Sequence, residues 1–186
     1  EIRKTVVVYN KKHIKYLKTN QLGNSIKIVG GKTRQQSTFK ALQKIKKMGC
    51  KKVLIHDSAR PSPPRQLIKK IIYSLKKNHA VVPIVKICDA TKRVDKSFIF
   101  KNIQRNSLRF SQTPQGFTFN KIYKKHKENI NVSFDDDSAL FTSYGEKVLA
   151  VNGSKTNLKI TDKEDLDIFK SLKKGKTYSG IGFDIH

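Results

Sequence analysis

Residues 51–86, KKVLIHDSARPSPPRQLIKKIIYSLKKNHAVVPIVK, hold two short apolar runs on either side of one amphipathic segment. Lys52–His56 (KVLIH) is β-branched and apolar, which predicts a buried strand. In Pro63–Lys77, Leu67, Ile68, Ile71, Ile72 and Leu75 fall on one face at helical spacing. Ala80–Val85 is the next strand. A strand, a helix and a strand over this length make one βαβ unit, and so predict an α/β fold with a mostly parallel sheet flanked by helices.

The same alternation extends in both directions. Upstream, Thr5–Tyr9 (TVVVY) and Ile26–Val29 read as strands, and the second runs into Gly30-Gly31. Ser37–Met48 carries Phe39, Leu42, Ile45 and Met48 at helical spacing, with Gly49 as a stop. Downstream, residues 86–119 break the rhythm. Their Asp95-Lys96 turn signal and the β-like Phe98–Phe100 predict an antiparallel arm. Asn120–Lys127 and Ser138–Tyr144 read as short helices, the second with Asp135–Asp137 at its positive end. Val148–Val151 is a late strand. Asp162–Leu172 is a helix with Asp162 as N-cap and Asp165 at the third position, close to a capping box. The organisation expected is one domain over 1–172, a basic linker over 173–179, and the opening of a second domain over 180–186.

A chain of 186 residues is long enough to bury a core. No apolar run reaches the roughly 18 residues that would span a bilayer, so no membrane is expected. Residues 1–20 do not read as a signal peptide. The chain opens almost directly on a strand, which predicts that a natural N-terminal segment precedes Glu1. Cys50 and Cys88 have neither CxxC nor zinc spacing; buried small hydrophobes and a cytoplasmic location are the expectation. The 40 Lys and Arg against 14 Asp and Glu give a formal charge of +26. Such a balance raises nucleic acid as a partner. The lysines are scattered along nearly every segment, however, and no aromatic-interleaved basic motif is present. A solvated, Lys-rich surface that draws in anionic substrates is the preferred reading.

Four segments carry candidate chemistry. Ile55–Pro61 (IHDSARP) sets a carboxylate and an arginine just past a buried strand, where α/β folds place their sites. Gly30–Ser37 (GGKTRQQS) joins glycines, cations and a hydroxyl before a helix. Arg105–Phe117 (RNSLRFSQTPQGF) is rich in arginine and hydroxyls, and Asn157–Thr161 (NLKIT) isolates a lysine between apolar residues. Together they suit phosphoryl or nucleotidyl transfer, which needs phosphate charge neutralised and two reactants held in line. Each also has a plain structural reading. Asp57 can cap a turn, Gly30-Gly31 can be a tight turn, Arg105 can lie on the surface, and Lys159 can be a snorkelling strand lysine. His56 reads as a packed strand residue, and Asp135–Asp137 as helix-terminal charge in preference to a metal site.

The order of these segments resembles the 2-C-methyl-D-erythritol 4-phosphate cytidylyltransferases from about Val6 to Ser171. The family's G-G-x-x-R-x-x-S is similar to Gly30, Gly31, Arg34 and Ser37. Its H-D-x-A-R-P is similar to His56, Asp57, Ala59, Arg60 and Pro61, and its D-T-x-K-R to Asp89–Arg93. R-x-x-L…T-P-Q-x-F matches Arg105, Leu108, Thr113, Pro114, Gln115 and Phe117. D-D-x-S-A-L matches Asp135, Asp136, Ser138, Ala139 and Leu140, and N-x-K-I-T matches Asn157, Lys159, Ile160 and Thr161. Gly182–His186 (GFDIH) resembles the opening of the 2-C-methyl-D-erythritol 2,4-cyclodiphosphate synthases, which are also found fused to these enzymes.

The resemblance implies a Rossmann-like nucleotidyltransferase whose β-arm pairs two subunits into a homodimer. It implies transfer from CTP, with Mg²⁺, to 2-C-methyl-D-erythritol 4-phosphate, with Asp57, Lys159 and Arg105 as catalytic residues. Gly31, Ser37, Asp57 and Ser58 would bind CTP. Arg60, Thr91, Arg105, Thr113 and Lys159 would bind the sugar-alcohol phosphate, Arg105 and Thr91 reaching into the partner's site. Asp184 and His186 would be two ligands of a divalent metal, Zn²⁺ by family, in an incomplete second site. There are departures: Ala90 follows Asp89, with Thr91 one place later; Phe134 precedes the acidic pair; Lys32 follows the glycines. The family's N-terminal Gly-rich loop is not in residues 1–186, so this segment alone is expected to be inactive. The alternatives are a cytidylyltransferase for another polyol phosphate such as ribitol 5-phosphate, a basic RNA-binding protein, and a dimeric scaffold without activity.

Overall fold

Alternate residues of the central strands point to opposite faces, and each face meets its own helices. The computed structural model describes residues 1–18, 22–130 and 132–173. Its elements, in chain order, are β1 (Val6–Tyr9), β2 (Ile26–Val29), α1 (Arg34–Lys46), β3 (Lys52–Ile55), α2 (Arg65–Ser74), β4 (Ala80–Lys86), β5 (Thr91–Asp95), β6 (Phe98–Ile103), β7 (Arg109–Ser111), β8 (Gln115–Thr118), α3 (Phe119–Glu128), α4 (Ala139–Thr142), β9 (Leu149–Asn152) and α5 (Lys163–Lys173). Lys11–Lys18 and Arg105–Ser107 are 3-10 turns.

On one face Ala80 and Phe117 pack with Leu42 of α1, Phe119 and Ile122 of α3, and Leu140 and Phe141 of α4. On the other, Val81 and Val151 pack with Leu67 and Ile71 of α2 and with Leu75. The neighbours Leu54 and Ile55 divide between the two cores. This is the expected layered α/β arrangement. The helix over α2 buries Leu67 and Ile71 and leaves Ile68 and Ile72 partly exposed.

The strand directions correct the expectation of a mostly parallel sheet. β1 pairs parallel with β2, and β4 pairs parallel with β9. β8, however, lies between β3 and β4, antiparallel to both, and β7 runs antiparallel to β4. Strands β3, β4 and β9 therefore share one direction, while the chain returning from the arm supplies two strands of opposite sense. The arm itself is the β5–β6 hairpin, with a register shift between Arg93 and Val94 and a turn in which Lys96 takes φ 50°. Val94, Phe98, Ile99 and Phe100 are all exposed.

Pro83 lies where β4 passes from β8 to β7. It has no N–H to offer there, and its carbonyl accepts from Gln112 N at 2.8 Å. At this break the chain makes the cis Thr113-Pro114 bond. Residues 111–115 thus sit at the end of the central strands, beside the loop that leaves β3. Neither cysteine is the buried small hydrophobe expected: Cys50 is half-buried, and Cys88 is exposed at the base of the arm. The linker over 173–179 and the segment 180–186, with Asp184 and His186, fall outside the described residues from 174 onward.

Candidate functional site

Past Ile55 the chain leaves the sheet, and the next residues are fixed by bonds to 111–115. The Asp57 N–H donates to Thr113 Oγ1 at 3.0 Å. The His56 ring spans the same loop, with Nε2 2.9 Å from the Arg60 carbonyl and Nδ1 3.0 Å from Thr113 Oγ1. A carbonyl only accepts, so Nε2 carries the proton and Nδ1 accepts from the threonine hydroxyl. His56 is therefore a brace of the loop, not the packed strand residue expected. Part of its ring stays open to solvent. Crowding on the inner side pushes it below the ordinary imidazole range, against the pull of the Arg60 carbonyl and the Asp57 carboxylate.

A second loop closes over the first. Arg60 Nη1 donates to the Asn157 carbonyl at 2.7 Å, and the Ile160 N–H donates to the Ala59 carbonyl at 2.8 Å. Asn157, 1% exposed, donates Nδ2 to the Thr113 carbonyl at 2.8 Å. Gln112 binds the amide and the carbonyl of Ser154 at 3.1 and 2.9 Å. With the lysine loop so fixed, Lys159 Nζ lies 3.7 Å from Asp57 Oδ2. Both groups keep contact with solvent, so the pair is open to an incoming anion. Lys159 is in a loop, and the strand reading of it falls. Asp57, Arg60, Thr113 and Lys159 are thus brought together, with the exposed Ser58 between Asp57 and Ala59.

Gly31 and Ser37 form a second cluster at the start of α1. Thr33 caps the helix by accepting from Gln36 N at 3.1 Å. Ser37 Oγ accepts the Gly31 N–H at 3.0 Å and donates to the Thr33 carbonyl at 2.9 Å. A Cβ on Gly31 would come within 2.4 Å of Gln36 Cβ, so the turn leaves no room for a side chain. The acidic segment is a third fixture. Asp136 caps α4, accepting from Ser138 Oγ at 2.7 Å and Ala139 N at 2.9 Å, so the helix-terminal reading holds for Asp136, while Asp137 is paired with Arg34 and His126. Burial works to raise its carboxyl, but four hydrogen bonds, from Ser138, Gln115, Ser111 and Ala139, hold it below the usual carboxylate value.

Thr91 and Arg105 lie apart, on the arm. Thr91 opens β5 opposite Ile103, and Arg105 donates Nη1 to the Cys88 carbonyl. The sequence assigns no role to Gln112, and none beyond motif membership to Arg34 and Asn157. Gln112 and Asn157 bond only backbone, and such side chains carry no periodicity to find them by. A hard divalent cation that brings phosphate ligands of its own would find one carboxylate oxygen here, that of the partly exposed Asp57.

The 2-C-methyl-D-erythritol 4-phosphate cytidylyltransferase family matches residues 1–172. A bifunctional enzyme IspD/IspF of Pelagibacter ubique is 37% identical over the whole of this chain, which spans 48% of that relative. A 2-C-methyl-D-erythritol 4-phosphate cytidylyltransferase of Prochlorococcus marinus is 42% identical over 150 residues, 79% of this chain and 67% of its own length. The crystal structure of 4-diphosphocytidyl-2C-methyl-D-erythritol synthase from Anaerococcus prevotii superposes with TM-score 0.83 at 30% identity, over 93% of this chain and 79% of that one. The chain therefore spans about half the length of the bifunctional relatives it matches, and it belongs to the 2-C-methyl-D-erythritol 4-phosphate cytidylyltransferase family.

Proposed function

We propose that the protein containing this chain joins CTP to 2-C-methyl-D-erythritol 4-phosphate, releasing pyrophosphate. The observation that carries the reading is the open Asp57–Lys159 pair, held between Thr113, Arg60 and Asn157. A phosphate oxygen of the methylerythritol phosphate attacks the α-phosphorus of CTP in line. The bond from that phosphorus to the bridging oxygen breaks, and pyrophosphate leaves with the electron pair. Lys159 neutralises charge on phosphate oxygens, and Arg60 holds the loop that carries Lys159. Asp57 would hold the Mg²⁺ that accompanies CTP, and that ion would supply further charge neutralisation. No covalent intermediate forms, so the work is positioning and electrostatics. Gly31, Ser37 and Ser58 take the nucleotide, and Thr113, Thr91 and Arg105 the second substrate, the last two from a partner copy paired through the arm.

The proposal extends to the rest of the chain. Residues 1–172 form the cytidylyltransferase domain, 173–179 a linker, and 180–186 the start of a cyclodiphosphate synthase domain in which Asp184 and His186 would be two ligands of an incomplete divalent-metal site, for Zn²⁺. Among the described residues no helix is long and apolar enough to cross a membrane, and the working location proposed is the cytoplasm. The test uses the complete reading frame. Pyrophosphate release is followed from CTP and Mg²⁺ with methylerythritol phosphate or ribitol phosphate, in wild type and Asp57→Ala. Release that needs methylerythritol phosphate and falls by about a thousandfold in the variant supports substrate and site together. Release with ribitol phosphate alone reassigns the substrate, and release with neither removes the reading.

A further inference from the structure

Asp136 and Asp137 are neighbours in sequence, yet their carboxylates serve different elements: Asp136 the β7–β8 segment, Asp137 the helices α1 and α3. Asp136 Oδ2 accepts from Ser111 Oγ and Gln115 Nε2, both at 2.8 Å. Those two residues bracket Gln112–Pro114, the segment that fixes Asp57 and Asn157. Asp137, 2% exposed, turns the other way. Its Oδ2 lies 2.5 Å from Arg34 Nη1, and its Oδ1 accepts from Nε2 of the fully buried His126 at 2.8 Å. Arg34 is the first residue of α1, inside the turn that folds Gly31 onto Ser37. The next residue, Gln35, is tied to the Asn129 carbonyl at 2.7 Å, so the start of α1 is pinned to the end of α3 beside His126. The His126 ring stacks on Phe39 of α1, with centroids 6.3 Å apart and planes within 7°.

A buried carboxylate such as Asp137 is retained only where it is well paired, and the partly exposed Asp136 is held by four hydrogen bonds of its own; the two are paired to different halves of the candidate site. We infer that Asp136 and Asp137 are positioning residues: a two-sided strut that sets the Gly30–Ser37 loop at a fixed distance from the Asp57–Lys159 cluster, and so fits CTP between them. The inference rests on the functional reading above, since it takes the first loop to hold the nucleotide.

The test uses the full-length protein with Arg34→Gln, Arg34→Lys, Asp136→Asn and Asp137→Asn. Arg34→Gln is expected to raise KM for CTP about tenfold with kcat and KM for methylerythritol phosphate little changed, because a small misplacement of one reactant weakens its productive binding. Arg34→Lys is expected to recover most of the loss. A companion measurement needs no turnover. Hydrogen exchange at the Gly31 and Lys32 amides, which donate to Ser37 Oγ and Gln36 Oε1, is expected to speed up in Asp136→Asn, although that substitution touches neither. A folded Arg34→Gln with unchanged KM for CTP overturns the strut, as does unchanged exchange at those amides in Asp136→Asn. A wild type that turns over no CTP sinks the functional reading instead, and exchange alone then decides the strut. Should Asp137→Asn fail to fold, Arg34→Gln carries the test from the more exposed end of the same bond.

Discussion

Thr113 holds the site with a single hydroxyl. It accepts the Asp57 N–H and donates to His56 Nδ1. Thr113→Val keeps the shape and removes both bonds, leaving a partly buried N–H without a partner, at a cost of about 1–3 kcal/mol. The expected outcome is a lowered Tm and a kcat reduced about tenfold, with Thr113→Ser close to wild type; thermal melts and steady-state rates check it. His56 adds a pH dependence. Its folded value is lowered, mainly by burial, so the unfolded chain binds more protons between that value and about 6.5. Stability from the neutral ring is full above about 6.5 and falls as pH drops through the folded value. Tm measured from pH 7.5 to 5 should decline more steeply in wild type than in His56→Gln. Asp57 and Lys159 were legible in the sequence because a charge just past an apolar run is conspicuous. Asn157 and Gln112 were not read for their work, because that work is done on backbone groups of residues 44 and 42 positions away.

The helices were legible wherever apolar periodicity defined them, and their ends less so. Ser37 looked like the start of α1 because Phe39 is its first apolar residue, but the cap is Thr33, and the first turn is polar. The capping box of α5 closes on a different residue: Asp162 accepts the Asp165 N–H at 2.8 Å, while Asp165 reaches back to Thr161 N at 2.9 Å. β7 and β8 were hidden inside the arm, since RFS and QGFT are too short and polar to announce strands. Yet β8 is central, and Gly116 shows why its sequence looks weak. A Cβ there would meet Ile71 Cγ2 at 2.6 Å and Leu75 Cδ1 at 2.8 Å. The glycine lets α2 close on the sheet. Gly116→Ala should therefore destabilise by about 1–3 kcal/mol through overpacking, read as a lower denaturant midpoint with an unchanged slope. The reverse result, a gain in stability, would mean the helix yields freely.

The arm and the charge of the chain make opposing demands. A two-stranded hairpin is marginal by itself, and this one shows Val94, Phe98, Ile99 and Phe100 to solvent, 54–79% exposed. Such a surface gains by being covered, and the homodimer proposed above covers it with a second copy. The same segment is strongly basic, with Lys86, Lys92, Arg93, Lys96, Lys101 and Arg105, on a chain of net charge +26. Two copies that meet through it repel each other, while their apolar faces attract. Salt separates the two terms. Raising ionic strength from about 0.1 M to 1 M shortens the screening length from about 10 Å to 3 Å, which removes most repulsion between exposed charges and leaves the apolar attraction. Association through the arm should then tighten with salt. An RNA complex held by the same lysines should instead weaken steeply. Sedimentation velocity of the full-length protein across that range, with Phe98→Asp/Phe100→Asp as the control, reads the sign. A dimer that strengthens with salt and is lost in the double variant supports pairing through the arm. A dimer that persists in the variant places the interface elsewhere, and RNA retained only at low salt would account for the basic charge without the arm.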